Sequence, residues 1–313
     1  MNNLIISMNT SLPVFIIVLL GIIFKRSGFI NDNFIDKANL IVFNVSLPSL
    51  IFIKISAADF KSVFNSTDII FGCSATVIFF LLAWIIAYGM IKDGKTRGAF
   101  IQGSFRSNVA IIGLALVNNL FGASGVAKGA IMISFLMPVY TVLSVLALTV
   151  PVHKKGASRL IILKSIFTNP LIIAVILSVP FSYYSIEMPF IIKQSVVMLS
   201  EITLPLALLS IGASLNFKSM KQKFLPASVS SFIKLAAMPY SATAAAALWG
   251  LRGESLGILF ITLSSPTAVS SYIMARAMDS DDELAGHIVL ITTLGAIFTI
   301  AGGIFIMKTL NLI

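Results

Sequence analysis

Gln102-Gly103-Ser104-Phe105-Arg106-Ser107-Asn108 and Thr262-Leu263-Ser264-Ser265-Pro266-Thr267-Ala268-Val269-Ser270-Ser271 are two polar stretches set inside apolar runs, at 98–119 and 256–277. Pro266 lacks a backbone N–H, and its ring clashes with the preceding turn. A helix broken there exposes backbone groups that lipid cannot satisfy. Such a break is tolerated where it lines a polar cavity, and the half-helix N-termini it creates attract anions through free N–H groups. Ser and Thr also pack helices together in membranes, and a proline also serves as a plain kink. The two readings part on whether the stretches are related.

Around them the chain of 313 residues is 58% hydrophobic and only 11% charged. A soluble chain carries about 25% charge. So apolar a chain cannot cover a water-facing surface, which excludes soluble enzymes, nucleic-acid binders and disulfide scaffolds. A membrane span needs about 20 mostly apolar residues. Ten such runs are read at 4–24, 35–54, 68–91, 98–119, 127–150, 160–181, 190–214, 225–249, 256–277 and 284–308. The short alternating segments of a barrel are missing. The expected fold is an all-α integral membrane protein of ten transmembrane helices.

The net charge of +10 then reads as orientation rather than as affinity for nucleic acid. Fourteen of the 22 Lys and Arg fall in loops on one side, at 25–37, 92–97, 154–164, 218–223 and 276. That side is expected to be cytoplasmic, which puts both termini outside the cytoplasmic membrane. The first lysine, Lys25, follows the first apolar run, so the basic n-region of a cleavable signal is missing. The first helix is expected to stay in the mature protein. The single cysteine, Cys73, forms no intrachain disulfide.

Pro13 and Pro170 are 157 residues apart, as are Pro48 and Pro205. Ser46-Leu47-Pro48 matches Thr203-Leu204-Pro205. The same offset carries Asn108 onto Ser265. The chain thus reads as two five-helix repeats, 1–150 and 151–313. Five is odd, so the second repeat is inverted, as in many secondary transporters.

Arg106 is a permanent cation inside a span, which costs about 2.5–3.5 kcal/mol on insertion scales. It is either a counter-charge for an anionic substrate, suited to carboxylates by its planar fork, or part of a structural ion pair, or a side chain snorkelling to the nearby cytoplasmic end. Ser107, Asn108, Ser264, Ser265 and Thr267 are the accompanying substrate-binding candidates. Glu201, in the seventh span, either pairs with Arg106, carries a coupling proton, or meets water near the end of its helix. Asp68 marks the solvated start of the third span and is a second coupling candidate. Lys234, in the eighth span, reads as snorkelling or as a structural pair. The acidic run Asp279, Asp281, Asp282, Glu283 reads as a solvated turn and helix cap. No H-E-x-x-H and no G-x-x-x-x-G-K-[ST] is present, and neither His153 nor His287 has metal-ligand neighbours. No metal and no cofactor is called for.

The segment from Asn44 through Pro48 to Phe52, then Arg106-Ser107-Asn108, then Pro205 with Gly212, then Ser265-Pro266-Thr267 before an acidic turn, resembles the auxin efflux carrier family. That family includes bacterial malate and malonate carriers and plant auxin exporters. The likeness covers essentially the whole chain. It implies inverted repeats whose broken helices 4 and 9 cross at the substrate site. It also implies a scaffold of spans 1, 2, 6 and 7, often dimeric in the family, and a transport domain of spans 3–5 and 8–10 that moves like an elevator. Plant members have proline at both crossings, whereas this fourth span has none near Asn108. Gly103 and Gly113 are the candidates for unwinding there.

The leading expectation is a secondary transporter or uniporter of small organic anions, with possible H+ or Na+ coupling. Competing readings are a cation-coupled carrier of the bile-acid type, a membrane enzyme, and a transporter-like sensor. The crossing lacks the acids that a cation site uses, and the sequence lacks the paired acids or His clusters of an enzyme.

Overall fold

The computed structural model describes residues 13, 16–57, 67–109, 113–152, 167–214 and 222–313. The start of the first expected run and most of the basic loops at 154–164 and 218–223, with His153, lie outside the described residues. Among those described, every regular element is helical. Helix α1 covers 16–26, α2 Asp32–Ser56, α3 Thr67–Met90, α4 Gly94–Phe105 and α5 Leu114–Thr149. Then come α6 Pro170–Tyr183, α7 Phe190–Ser214, α8 224–248, α9 Gly253–Ser264, α10 Ser270–Ala277 and α11 Asp282–Thr309.

Five stretches are long and apolar enough to cross a membrane as single helices: α2, α3, Ser124–Thr149 within α5, α7 and α11. Their surface is inverted relative to a soluble fold. Ile85 on α3 and Phe298 and Phe305 on α11 are exposed, while Thr76, Gln102, Ser104, Ser230 and Thr292 are buried. Lipid is the solvent that makes this distribution favourable.

Polar side chains set the helix starts. Asn31, Asp93, Asn169 and Asp281 cap α2, α4, α6 and α11 by accepting from the free N–H groups of the first turn. Prolines follow the interruptions in α2, α7 and α8, whereas α5 is kinked at Gly122, at φ +64°. A π turn, Val42–Ser46, lies just before Pro48 in α2, and another, Ile233–Ala237, just before Pro239 in α8. Each proline removes one helical bond and crowds the preceding turn, and the wider turn absorbs the misfit. Helix α7 is likewise interrupted at Ile202, just before Pro205.

Two packing groups result. Helix α2 packs mainly on α6 and α7. Helix α1 meets α7 where a Cβ on Gly212 would stand 2.0 Å from the Val18 carbonyl, so the backbones touch. In the second group α3 packs on α4 and α5, α8 on α9, and α11 on α8, α10 and α4. The groups join at one end through Arg276 of α10. It pairs with Asp36 of α2 at 2.6 Å and with Asp282 at 2.8 Å. The acidic run that contains Asp282 does more than cap α11. Asp279 pairs with Lys95 at 2.5 Å and Asp281 with Lys223 at 2.7 Å, tying three loops together.

Candidate functional site

Helix α4 ends at Phe105 and α9 at Ser264, and both chains continue extended. The two extended segments cross as a single antiparallel bridge between Ser107 and Thr267. The Asn108 N–H donates to the Pro266 carbonyl at 2.7 Å, and the Ala268 N–H to the Arg106 carbonyl at 3.3 Å. Each break thereby satisfies backbone groups that the other has freed, which a lipid interior demands. The Thr267 hydroxyl donates to the Gly103 carbonyl at 2.8 Å, and the Thr267 N–H donates to Thr292 Oγ1 at 3.0 Å.

A cavity of about 360 Å³ lies against this crossing. Its walls come from Leu47, Leu50, Ile51 and Lys54 of α2, from Met137 and Tyr140 of α5, and from Ser200, Glu201 and Leu204 of α7. Its floor is Arg106, Ser107, Asn108, Ala268 and Ser270. Arg106 is 6% exposed and donates through Nη2 to Ser270 Oγ at 3.0 Å, with Nη1 against the Met274 sulfur. Among the described residues no carboxylate forms an ion pair with Arg106. A second buried cation stands beside it. Lys234 donates to Ser107 Oγ at 2.6 Å and to the Leu263 carbonyl, again with no ion-paired carboxylate. The crossing therefore holds two buried basic side chains of its own.

The family model for membrane transport proteins matches residues 6–304. The chain belongs to this family, that of the auxin efflux carriers. It is 27% identical over 313 aligned residues to an uncharacterized transporter of Methanocaldococcus jannaschii, covering 95% of this chain and 97% of that one. It is 22% identical over 316 residues to the uncharacterized transporter YfdV of Escherichia coli K12, covering 96% and 97%. A Rhizobium meliloti protein named "Putative malonate transporter" is 22% identical over 307 residues, covering 95% of each chain. It is thus a multi-pass membrane protein of a transporter family.

Within this auxin efflux carrier fold the expected site residues divide. Arg106, Ser107, Asn108 and Glu201 share the cavity. Ser264, Ser265 and Thr267 do not line it. The Ser265 hydroxyl turns back to the Ile261 carbonyl at 2.8 Å, and Ser264 turns to the same carbonyl at 3.4 Å. Pro266 supplies the break. Gly103 stands inside α4, two residues before its last residue, Phe105. Its missing side chain leaves room for Ile288, which a Cβ would meet at 2.8 Å. Gly113 is the N-cap of α5, and a Cβ there would stand 2.9 Å from Ser265 Oγ. Both glycines are close-packing positions. Asp68 lies in a separate cavity of about 580 Å³ with Lys128, Trp249 and Arg252.

Sequence reading passed over Ser270, Tyr140 and Lys54 as cavity residues. Ser270 lies in the polar run at 262–271, where nothing in the sequence separates it from Ser264 and Ser265. Tyr140 and Lys54 carried no signal, because facing cannot be read in spans that are apolar on all sides.

Proposed function

We propose that this carrier moves small organic anions, carboxylates of the class of malate, malonate or auxin-like acids, across the cytoplasmic membrane by alternating access. The observation that carries the reading is the Arg106 guanidinium. It lines the cavity, is nearly buried, and lacks an ion-paired carboxylate among the described residues. An unpaired cation at low dielectric is costly alone and attracts an anion strongly. Charge-assisted hydrogen bonds to it contribute about 1.5–3 kcal/mol. Ser107, Asn108 and Ser270 offer hydroxyl and amide partners for the remaining oxygens, and the Rhizobium relative's name is consistent with a dicarboxylate.

The architecture in this proposal is ten spans in two inverted repeats. Helices α4 with the first turns of α5, and α9 with α10, each form one broken span. The interruptions before Pro48 and before Pro205 stand at repeat-related positions, which supports the duplication. The group containing α1, α2, α6 and α7 would be the scaffold and the site of a homodimer. The group of α3–α5 and α8–α11 would be the moving domain, carrying Arg106 past the scaffold. The join of Arg276 to Asp36 would part at each cycle. Glu201 shares the cavity with Arg106 and is the better placed proton carrier, whereas Asp68 lies in another cavity. The basic loops would face the cytoplasm, with both termini outside.

The test is a thermal shift of purified protein against a panel of carboxylates, for wild type and Arg106→Gln. A ligand that binds the folded state raises the apparent melting temperature. A dicarboxylate or aromatic acid should shift wild type, and the glutamine variant should need about 10- to 100-fold more ligand for the same shift. A shift by sodium or an amine, with none by any carboxylate, would defeat the anion reading.

A further inference from the structure

Lys234 is 0% exposed and does not line the substrate cavity. It projects from the π turn of α8 into the gap between the two broken helices. Its two partners belong to the two breaks. Ser107 is in the first extended segment. Leu263 is in the last turn of α9, where carbonyls lose their helical partners. The N–H that would ordinarily serve the Leu263 carbonyl is that of Thr267, and it donates to Thr292 instead. The ammonium thus satisfies an orphan acceptor and sits at the negative end of the α9 dipole. A hydroxyl and a half-helix carbonyl are also the oxygen ligands with which broken-helix carriers coordinate a dissociable cation.

We propose that Lys234 is the resident cation of the crossing. Its tethered ammonium takes the position and the role that a dissociable coupling cation takes in carriers with broken helices. The charge that compensates the end of α9 therefore travels with the moving domain, and no inorganic cation binds there. Lys234 is a positioning residue: it fixes Ser107, and through it the segment that carries Arg106 and Asn108. Only the transport arm of its test rests on the carrier reading above.

The experiment compares wild type, Lys234→Met and Lys234→Ala in detergent, reading melting temperature in choline chloride, sodium chloride, propylammonium chloride and n-propanol. Wild type should be indifferent to all four. The methionine variant keeps the stem without the charge, and it should melt lower and respond to none. The alanine variant should melt lower still and recover as propylammonium rises, with n-propanol giving no recovery. If the alanine variant survives only when purified with propylammonium, that too supports the proposal. A methionine variant as stable as wild type overturns it, as does recovery by propanol equal to that by propylammonium, or recovery by neither. In proteoliposomes loaded with the best-binding carboxylate, wild-type uptake should be unchanged when choline replaces sodium, and Lys234→Met uptake should fall by on the order of tenfold or more. Sodium-dependent wild-type uptake overturns the proposal. Failure of every carboxylate to bind leaves the melting result standing, so the two readings fail separately.

Discussion

The two crossing segments reach the same extended geometry by different means. At 265–268 the break is covalent, because Pro266 has no N–H to continue α9. At 106–108 there is no proline and no glycine, and Gly103 lies within the helix. There the extended form is held from outside. Asn108 donates to the Pro266 carbonyl, Ala268 donates to the Arg106 carbonyl, and Lys234 holds Ser107. One break is written in a single residue and the other in its contacts. The labour divides along the same line. Arg106, Ser107 and Asn108 face the cavity, whereas Ser264, Ser265 and Thr267 spend their hydroxyls on backbone carbonyls.

The sharpest way to break this comparison is to remove the covalent cause. Proline inside a helix costs about 3 kcal/mol, a bias of about 100-fold. In Pro266→Ala the restored N–H can donate to the Thr262 carbonyl and let α9 run on. The Asn108 contact would then be lost, and the first segment with it. Uptake should fall by more than about tenfold while the melting temperature holds or rises. Placing proline on the other side, Asn108→Pro, removes the N–H that donates to Pro266 at 2.7 Å. This variant should be less stable by about 1 kcal/mol. Unchanged uptake in Pro266→Ala would mean that the second segment does not organise the first.

A gentler variant sharpens the division of labour. Thr267→Val keeps the shape and removes the hydroxyl that donates to the Gly103 carbonyl. Its loss should cost about 1 kcal/mol of stability. Carboxylate affinity, read by the same thermal titration, should stay within about twofold of wild type, since less than about 0.5 kcal/mol of binding is at stake. An affinity loss comparable to that of Arg106→Gln would place Thr267 in the recognition surface and end the distinction.

These contrasts also measure what the sequence disclosed. The membrane class followed from composition, because a chain with 11% charged residues has no other solvent. The break at Pro266 followed from the missing donor. Arg106 was legible because a guanidinium inside a span is rare and expensive. The break at Arg106 was not, since neither Arg106 nor Ser107 is a breaker and its cause is a partner 160 residues away. The facing of the ninth run was not legible either. Serines and threonines on all sides of a helix give no moment, so Ser270 could not be separated from Ser264 and Ser265. Lys234 was visible as a buried cation, but the orphan carbonyl at Leu263 that gives it a task exists only after folding.

The smallest expected effect lies at the far ends of the same two half-helices. Helix α4 starts on Asp93, which accepts from the Thr96 N–H at 2.8 Å and from the Thr96 hydroxyl at 2.7 Å. Helix α9 starts on Arg252, whose side chain makes no cap. There Gly253, at φ +61°, donates its N–H to the Leu312 carbonyl at 2.7 Å, a pure backbone closure. The first entrance should therefore respond to pH through its cap, whereas the second has no side-chain cap to titrate. Burial works to raise the Asp93 carboxyl, but the Thr96 amide and hydroxyl, with Lys95, hold it below its ordinary 3.8. A carboxylate with a lowered folded value contributes stability above its unfolded value and loses it as pH falls through the folded one. Asp93→Ala should thus melt lower than wild type at neutral pH, by the equivalent of about 1 kcal/mol, with Asp93→Asn in between. The gap between wild type and Asp93→Asn should close as pH falls below 3.8. A gap that stays constant to lower pH would show that the capping geometry, and not the charge, anchors the first half-helix, and the two entrances would then be alike.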